Sequence, residues 1–317
     1  MFLKTKPQVI VNPESNRGRT GKRWNHIKEA LKVFFKEFTY EFTEKPLQAI
    51  EISRSAVKEG VELIVGVGGD GTMNEIVNGF FENKRIINGD ASLGIIPSGT
   101  GCDFSKSLNI PLGLKHALEV ITRTPSSLID VGRARFKTAS GKIDERFFLN
   151  VTDFGIGGEV VARMEKNRRE RKASSYFKSL MATFFNYKNK HLSLRVDGKE
   201  LPPQEYMVGA IANGRIFGKG MKVAPHALLD DGFFDLVLVK GMKVFEFLRN
   251  VWRIYLGTHL THPKISLLRA KCIEVLPAIP NEEVLIEVDG EQVGSLPAYF
   301  EIIPRTLLVK GTLQKRI

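Results

Sequence analysis

The sequence has little cysteine and no long apolar run. Its 317 residues include only two cysteines, Cys102 and Cys272, which lie far apart. This scarcity argues against a disulfide framework and a cysteine-based zinc site, and it favours a reducing compartment. No stretch approaches the roughly 20 apolar residues that a membrane-spanning helix needs. The N-terminal run MFLKTKPQVIVNP is too short for a secretory signal. We therefore expect a soluble, cytoplasmic protein.

Metal-binding histidine patterns are also missing. The six histidines form no HExxH motif, and His259 and His262 are followed by Pro263, which favours a solvated turn over a metal-binding helix face. Acidic residues are outnumbered, with 35 Asp and Glu against 47 Lys and Arg and a formal charge of +12. That balance favours acidic partners: nucleic acid, anionic lipid surfaces or phosphorylated metabolites.

Residues 1–130 alternate strand-like and helix-like patterns. The segment PQVIVNP is typical of a short strand, and WNHIKEALKVFFKEF has apolar residues at helical spacing. This alternation predicts a parallel sheet covered by helices on both faces, with ligands at the carboxyl edge of the strands. We expect an α/β nucleotide-binding domain here, completed by residues 305–317.

Residues 131–304 have a different pattern, with short alternating or apolar runs separated by Gly, Asp and Pro turns. These runs are typical of an antiparallel β-sandwich or half-barrel. Two helices are predicted within it, near 163–186 and 243–256. The domain boundary is predicted near 128–135.

The stretch VGVGGDGTMNEIVNGF (65–80) carries two overlapping signatures. Gly66, Gly68 and Gly71 satisfy the dinucleotide-binding spacing, which requires an acidic residue about 20 positions later at a strand end. Asp90 has that spacing but lies in the turn INGD, and the loop follows the third predicted strand rather than the first. The dinucleotide interpretation therefore fails its context. RGRTGKR (17–23) also lacks the Walker A spacing.

Two interpretations of the glycine loop remain. It is a tight turn with Asp70 capping the next helix, or it is a triphosphate loop. In a triphosphate loop, glycines let backbone N–H groups approach phosphate oxygens. Asp70 then holds Mg²⁺, Thr72 adds a hydroxyl, and Asn74 and Glu75 start the helix. The turns PSGTGCDFSK (97–106) and NPESNRG (12–18) should meet this loop at the same sheet edge.

Seven motifs lie along the chain in a fixed order. They are NPESNRG (12–18), GGDGTMNEIVNG (68–79), IPSGTGCDF (96–104), IDVGR (129–133), FLNVTDFGIGGEV (148–160), IANGRIFGKGMKVAPHALLDDGFFDL (211–236) and VDGEQV (288–293). This ordered set resembles the bacterial soluble lipid kinases of the diacylglycerol kinase and sphingosine kinase superfamily. GGDGT alone is shared with NAD kinases and phosphofructokinases, whereas the set that ends in DGE is specific to the lipid kinases.

The resemblance implies site residues and a two-domain fold, with a phosphofructokinase/NAD kinase-like first domain and a β-sandwich with inserted helices as the second. It implies Glu291 as general base and Asp70 as a second catalytic residue. It implies a Mg²⁺ site from the Asp231 carboxylate and the backbone oxygens of Leu228 and Phe233. The nucleotide residues that it implies are Asn12, Thr43, Gly68, Gly69, Asp70, Gly71, Thr72, Asn74 and Thr100.

Two positions depart from the family pattern, and two motifs have plainer alternatives. Cys102 stands where asparagine is common, and Asn16 stands where glycine usually follows NPxS. Asp289-Gly290-Glu291 could be an ordinary hairpin turn, because Asp-Gly is a strong turn signal. Asp230-Asp231-Gly232 could likewise be a plain turn, although adjacent carboxylates beside carbonyls also suit a hard cation.

Residues 163–191 combine a basic cluster with an apolar stripe. The segment contains nine Lys and Arg but only two Glu. The stripe comprises Tyr176, Phe177, Leu180, Met181, Phe184 and Phe185. Either the segment docks on anionic lipid, or the stripe packs on the sandwich or lines an acyl-chain cleft. No RNP-like or zinc motif accompanies it, so we expect no nucleic-acid partner.

The sequence thus predicts an ATP-dependent, Mg²⁺-requiring lipid kinase. It would phosphorylate the hydroxyl of diacylglycerol or a related lipid and would work as a peripheral protein at the inner face of the membrane. A NAD kinase-like phosphotransferase shares the glycine loop but does not account for NPxS or DGE. A non-catalytic nucleotide or lipid sensor is the other alternative.

Overall fold

A computed structural model describes residues 5–169 and 183–314. Its N-terminal part contains a parallel sheet in the order β2-β1-β3-β6, and the remaining two strands form a separate hairpin. The strands are β1 (Gln8–Val11), β2 (Thr39–Phe42), β3 (Leu63–Gly68), β4 (Phe81–Glu82), β5 (Arg85–Ile86) and β6 (Ser92–Pro97).

Helices cover both faces of this sheet because its central strands are apolar on both sides. Val9 and Val11 of β1 pack in one core with Trp24 and Leu31, whereas Ile10 packs in another with Met73. The helices are α1 (Arg19–Lys22), α2 (Trp24–Phe34), α3 (Gln48–Lys58), α4 (Asp70–Gly79), α5 (Asp103–Ser107) and α6 (Leu114–Arg123).

The second part of the chain is rich in antiparallel strands. Strand β9 pairs with β11 and β15, and an aromatic core of Phe148, Phe154, Tyr206, Phe234 and Phe300 fills the space between the strands. The strands are β7 (Ser126–Lys137), β8 (Ile143–Phe148), β9 (Val151–Gly155), β10 (Lys190–Val196), β11 (Lys199–Ala212), β12 (Phe234–Lys240), β13 (Ile265–Ala270), β14 (Cys272–Pro277), β15 (Leu285–Val288) and β16 (Glu291–Lys310).

Strand β16 joins the two parts of the chain. It pairs antiparallel with β7 along most of its length, and Leu308 and Val309 then pair in parallel with Ser92 and Leu93 of β6. Residues 128–135, where the sequence indicated a boundary, lie inside the continuous strand β7. The predicted boundary therefore falls within a strand that pairs antiparallel with β16 along its whole length, and no linker lies at that point.

Three helix predictions need correction. The helix after the glycine loop begins at Asp70, before Asn74 and Glu75, because Gly69 is extended and its carbonyl accepts the Met73 N–H at 3.1 Å. The helix predicted near 163–186 begins earlier, as α7 (Ile156–Arg169), and residues 183–186 are helical; residues 170–182 lie outside the described part.

The helix predicted over 243–256 is divided into α8 (Val244–Asn250) and α9 (Trp252–Leu256). The Asn250 amide donates to the Glu246 carbonyl at 2.8 Å, and the Trp252 indole donates to the Arg249 carbonyl at 3.1 Å. Such side-chain donors compete with the backbone N–H groups of a helix. Val251 nevertheless keeps helical torsion angles between the two segments. Within residues 5–169 and 183–314, no helix has the length and apolar character needed to cross a membrane.

Candidate active site

The glycine loop lies at the carboxyl end of β3, where two glycines allow close backbone contact. A Cβ atom on Gly68 would lie 2.5 Å from Thr72 Oγ1, and a Cβ atom on Gly99 would overlap the Cα atom of Gly69. The loop and the PSGTG turn therefore touch backbone to backbone. Only glycine fits at these positions without displacing a neighbour.

The NPESNRG turn meets the same edge. Asn12 Nδ2 donates to Thr72 Oγ1 at 3.0 Å, and the hydroxyl groups of Thr20 and Ser98 are 2.6 Å apart. Ser15 Oγ also donates to the Ser98 carbonyl. The structure thus brings together the three turns that the sequence placed at one sheet edge.

Two further residues predicted to bind the nucleotide lie at this edge. The Thr43 backbone N–H donates to the Val11 carbonyl at 2.8 Å, which places Thr43 beside the end of β1. Thr100 follows Gly99 and is exposed.

Asp70 occupies the first position of α4 and connects to α5. Its carboxylate accepts the backbone N–H groups of Asp103 at 3.1 Å and Phe104 at 3.0 Å. Burial raises the pKa of Asp70, and these two hydrogen bonds oppose the rise. Each carboxylate oxygen keeps a further lone pair, and Mg²⁺ in phosphate sites commonly uses one or two carboxylates with substrate phosphates. Asp70 therefore fits a nucleotide-associated Mg²⁺.

Glu291 reaches the glycine loop from the other part of the chain. A Cβ atom on Gly71 would lie 2.7 Å from Glu291 Oε1, so the carboxylate lies directly against the first turn of α4. Its other oxygen, Oε2, accepts Arg146 Nη1 at 2.8 Å. Two motifs far apart in the sequence, GGDGT and DGE, thus meet at one point.

Comparison with known families matches two models to successive parts of the chain. The model for the diacylglycerol kinase catalytic domain matches residues 6–134. The model for the YegS C-terminal NAD kinase beta sandwich-like domain matches residues 150–311. The chain belongs to the diacylglycerol kinase family. It is a diacylglycerol kinase-like enzyme, a phosphotransferase with an alcohol acceptor.

Individual relatives cover almost the whole kinase. Diacylglycerol kinases of Staphylococcus carnosus and of Staphylococcus aureus strain MRSA252 are each 28% identical over 315 residues, covering 94% of this chain and 92% and 90% of their own lengths. A solved diacylglycerol kinase structure from Bacillus anthracis matches with a TM-score of 0.71 at 22% identity, covering 98% of both chains. A second structure from that organism has a TM-score of 0.75 at 24% identity and the same coverage. These structures show the shared fold.

The DGE triplet of the kinase is both a hairpin turn and a buried anchor. Asp289 and Gly290 have positive φ angles of 48° and 89° between β15 and β16, as an Asp-Gly hairpin predicts. The buried Asp289 carboxylate accepts the N–H groups of Leu149 at 2.9 Å and Asn150 at 3.0 Å. Burial raises the pKa of Asp289 to about 6, and these hydrogen bonds oppose the rise. Asp289 thereby fixes the turn that carries Glu291.

The Asn74 side chain, which was predicted to contact the nucleotide, is buried and bonded within the protein. Its side chain is only 1% exposed, and Nδ2 donates to the Phe147 carbonyl and to Asp289 Oδ2, each at 2.9 Å. Both amide hydrogens are therefore used within the protein. Asn74 therefore links α4 to the DGE turn.

In the LLDDGF turn, the predicted metal ligand Asp231 is paired with an arginine. The Asp231 carboxylate accepts the Phe233 N–H at 3.1 Å and forms an ion pair with Arg269, whose guanidinium lies 4.4 Å from the centre of the Phe233 ring. A divalent cation on Asp231 would stand beside this guanidinium and be repelled by it. The donor set of Asp231, Leu228 and Phe233 does not fit Mg²⁺ while Arg269 is paired in this way.

Local geometry explains both departures from the family pattern. Cys102 Sγ accepts the Gly99 N–H at 3.1 Å, so the thiol supports the second glycine turn, and burial raises its pKa to about 11. Asn16 has a φ angle of 54°, in the left-handed region that glycine and asparagine tolerate better than other residues. Neither substitution disturbs the convergence of the three turns.

Sequence reasoning missed a buried pair of carboxyl groups beside the DGE turn. Asp153 and Glu287 lie opposite each other on β9 and β15, with 4% and 0% exposure. Glu287 Oε2 accepts the Gly290 N–H at 2.6 Å, and the Gly158 N–H donates to Asp153. Burial raises the pKa of Asp153 to about 7 and that of Glu287 well above its usual range. A proton shared between the two side chains accounts for this arrangement.

A signal for this pair is present in the motif TDFGIGG. A Cβ atom on Gly157 would overlap the Asp153 carboxylate, so the glycine lets α7 begin directly above that acid. Nothing in the sequence pairs Asp153 with Glu287, because the contact depends on the register of two strands that lie far apart along the chain.

Proposed function

We propose that this kinase transfers the γ-phosphoryl group of ATP to the hydroxyl group of diacylglycerol or a closely related lipid, with Glu291 as general base. The observation that carries the proposal is the contact between Glu291 Oε1 and the Gly71 position. A phosphate held by the glycine loop would lie beside that carboxylate. A base must come within hydrogen-bonding reach of the hydroxyl whose proton it accepts.

Arg146 orients the base in this scheme. Its guanidinium holds Glu291 Oε2 at 2.8 Å, and its side chain is only 12% exposed. This contact leaves Oε1 as the oxygen on the glycine-loop side. The lipid hydroxyl would give its proton to Glu291 as the oxygen attacks the γ-phosphorus, and ADP would leave on the opposite side.

The nucleotide would lie across the three joined turns. Backbone N–H groups at Gly68, Gly69 and Gly71 would face the phosphates, and the N-terminus of α4 adds positive potential. Around them we place Asn12, Thr43, Thr72 and Thr100. Asp70 would hold a Mg²⁺ ion, which neutralises phosphate charge when bound.

We also propose that the two parts of the chain bind different substrates. Residues 1–130, completed by 305–317, would bind the nucleotide, and residues 131–304 would bind the lipid. A lipid substrate requires the enzyme to visit a bilayer, so we place the working kinase at the inner face of the membrane as a peripheral cytoplasmic protein. The net charge of +12 favours an anionic surface.

One assay tests the substrate class. Purified protein is incubated with γ-labelled ATP, Mg²⁺ and, in separate reactions, diacylglycerol, a sphingoid base and NAD. We expect label in diacylglycerol or a related lipid, with no transfer after chelation of Mg²⁺. Label in NAD with none in any lipid would contradict the proposal, and label in no acceptor at all would favour a sensor.

A further inference from the structure

Helices α8 and α9 present a row of large side chains to solvent. Phe245, Arg249, Trp252 and Leu256 are spaced i, i+4, i+7 and i+11, and the helical torsion angles of Val251 keep them on one face. The three apolar members are 74%, 56% and 62% exposed, and Tyr255 beside them is 48% exposed. We name these four spaced residues the outer stripe.

The exposure of the outer stripe does not arise from a loosely attached helix. On the opposite side, Phe247 stacks on Phe184 with ring centres 5.8 Å apart, and Ile254 packs against a buried cluster. The Ile254 carbonyl also accepts the Lys222 N–H at 3.0 Å. The segment is therefore anchored by one apolar face while a second apolar face points outward, whereas the outer face of a surface helix is normally polar.

The charges around the outer stripe are mostly positive. Lys243 and Arg249 are exposed, and Arg253 lies on the next turn. Glu246 is the one acidic residue in 243–256, and Lys264 neutralises it at 2.6 Å. Aromatic side chains beside exposed basic groups are the pattern of helices that lie in the interface of an anionic bilayer.

We infer that the outer stripe docks the kinase on bilayers that contain anionic lipid. Trp252 and Phe245 enter the boundary between headgroups and acyl chains, and Arg249 contacts the headgroup phosphates. This inference rests on the proposed lipid kinase function. The outer stripe is a different surface from the apolar stripe that the sequence predicted within residues 163–191. Of that predicted stripe, Phe184 packs inward on Phe247 and Phe185 is 63% exposed. The other members lie outside the described residues.

Helices α8 and α9 are connected to the nucleotide site through a loop on their anchored side. Lys222, which bonds to α9, belongs to the segment in which the Lys219 N–H donates to Asp103 Oδ2 at 2.6 Å. The Asp103 N–H in turn donates to Asp70. The loop therefore connects the anchored side of α8 and α9 to α5 beside the glycine loop.

Vesicle flotation without ATP tests the inference. Wild type is compared with F245Q/W252Q, with R249E and with the control V33Q/L112Q, which alters two exposed apolar residues of the N-terminal part, Val33 and Leu112. Vesicles contain phosphatidylcholine with or without phosphatidylglycerol. We expect wild type and control to bind the anionic vesicles equally, and F245Q/W252Q to bind about tenfold more weakly. R249E should lose at least about fivefold, and only on anionic vesicles.

Activity on two forms of substrate separates this inference from the proposed function. F245Q/W252Q should phosphorylate dispersed short-chain diacylglycerol at the wild-type rate and vesicle-borne diacylglycerol more slowly. Equal vesicle binding by wild type and F245Q/W252Q, at equal melting temperatures, would overturn the inference and leave the function intact. The inference would also be overturned if wild type were a dimer and F245Q/W252Q alone dissociated it, because the outer stripe would then be a contact between two copies of the chain. Stripe-dependent binding without phosphorylation of any lipid would instead contradict the proposed function.

Discussion

The replacement of Gly71 by alanine tests the placement of the base most finely. A Cβ atom at this position would lie 2.7 Å from Glu291 Oε1, whereas ordinary contacts of Cβ atoms begin at 3.4 Å. The carboxylate must therefore retreat by several tenths of an ångström. It cannot do so freely, because Arg146 holds Oε2 and Asp289 fixes the turn.

The expected effects on rate and stability have different signs. A misplacement of about 1 Å in a reacting group can cost about 100-fold in rate, so we expect kcat to fall by tenfold to about 100-fold. Alanine is better than glycine in a helix by about 1 kcal/mol, and position 71 lies in the first turn of α4. The melting temperature of Gly71→Ala should therefore not fall. A variant that is stable but slow is the specific signature of this geometry.

The assay measures kcat on diacylglycerol, ATP affinity and melting temperature. Gly89→Ala is the matched control, because no atom lies within 4 Å of a Cβ atom there. The decisive comparison places Gly71→Ala in a Glu291→Gln background, where it should have little further effect on rate. Full activity of Gly71→Ala would refute the reasoning. An equal loss in both backgrounds would show that alanine acts on the phosphates and not on Glu291.

Three further predictions follow from the buried polar groups and the packing. The folded state keeps a proton on the Asp153–Glu287 pair, whereas the unfolded chain releases that proton once the pH exceeds the ordinary carboxyl pKa values. The free energy of unfolding of wild type should therefore fall as the pH rises from about 4 through 7. Glu287→Gln can donate to Asp153 without that proton and should show a flatter profile of melting temperature against pH; an unchanged profile would exclude the shared proton. Without nucleotide, Mg²⁺ should not raise the melting temperature of wild type. It should raise the melting temperature of Arg269→Gln, because that variant frees Asp231 from the guanidinium. If Mg²⁺ does stabilise wild type and Asp231→Asn abolishes the effect, Asp231 binds the metal as the sequence predicted. Gly79→Ala should lower the free energy of unfolding by about 1–3 kcal/mol, because its Cβ atom would overlap Ser53 Oγ between α3 and α4. Gly60→Ser is the comparison variant. Its Cβ atom would meet no atom within 4 Å, but its φ angle is 83°, so it measures backbone strain without overpacking.

The sequence predicted the edge where the turns meet because local signals define it. The apolar strands around Ile10 and Ile64 and the glycine turns at Gly69 and Gly99 each have a short-range pattern. The order of neighbouring strands then brings their carboxyl ends together. Family resemblance added the DGE turn, whose Asp-Gly geometry is also local.

The contacts that depend on tertiary register were not predictable in this way. The glycine motif predicts a nucleotide contact for Asn74, but it gives no signal for the hydrogen bonds from the Asn74 amide to Phe147 and Asp289. Arg269 lies far from Asp231 in the sequence, so the ion pair beside the predicted metal site had no local signal. The pairing of β7 with β16 likewise joins segments that lie far apart in the sequence, and no local pattern indicates it.

The most direct test of the central claim is a single-turnover measurement with Glu291→Gln. Enzyme in excess is mixed with γ-labelled ATP, Mg²⁺ and diacylglycerol, and the labelled lipid is followed in time; ATP affinity is measured separately. Loss of a general base costs about 10²–10⁴-fold, so the variant should transfer label at least about 100-fold more slowly than wild type while it binds ATP with unchanged affinity. Transfer to diacylglycerol at the wild-type rate would contradict the role of Glu291, and it would separate the DGE turn from the chemistry that we assign to it.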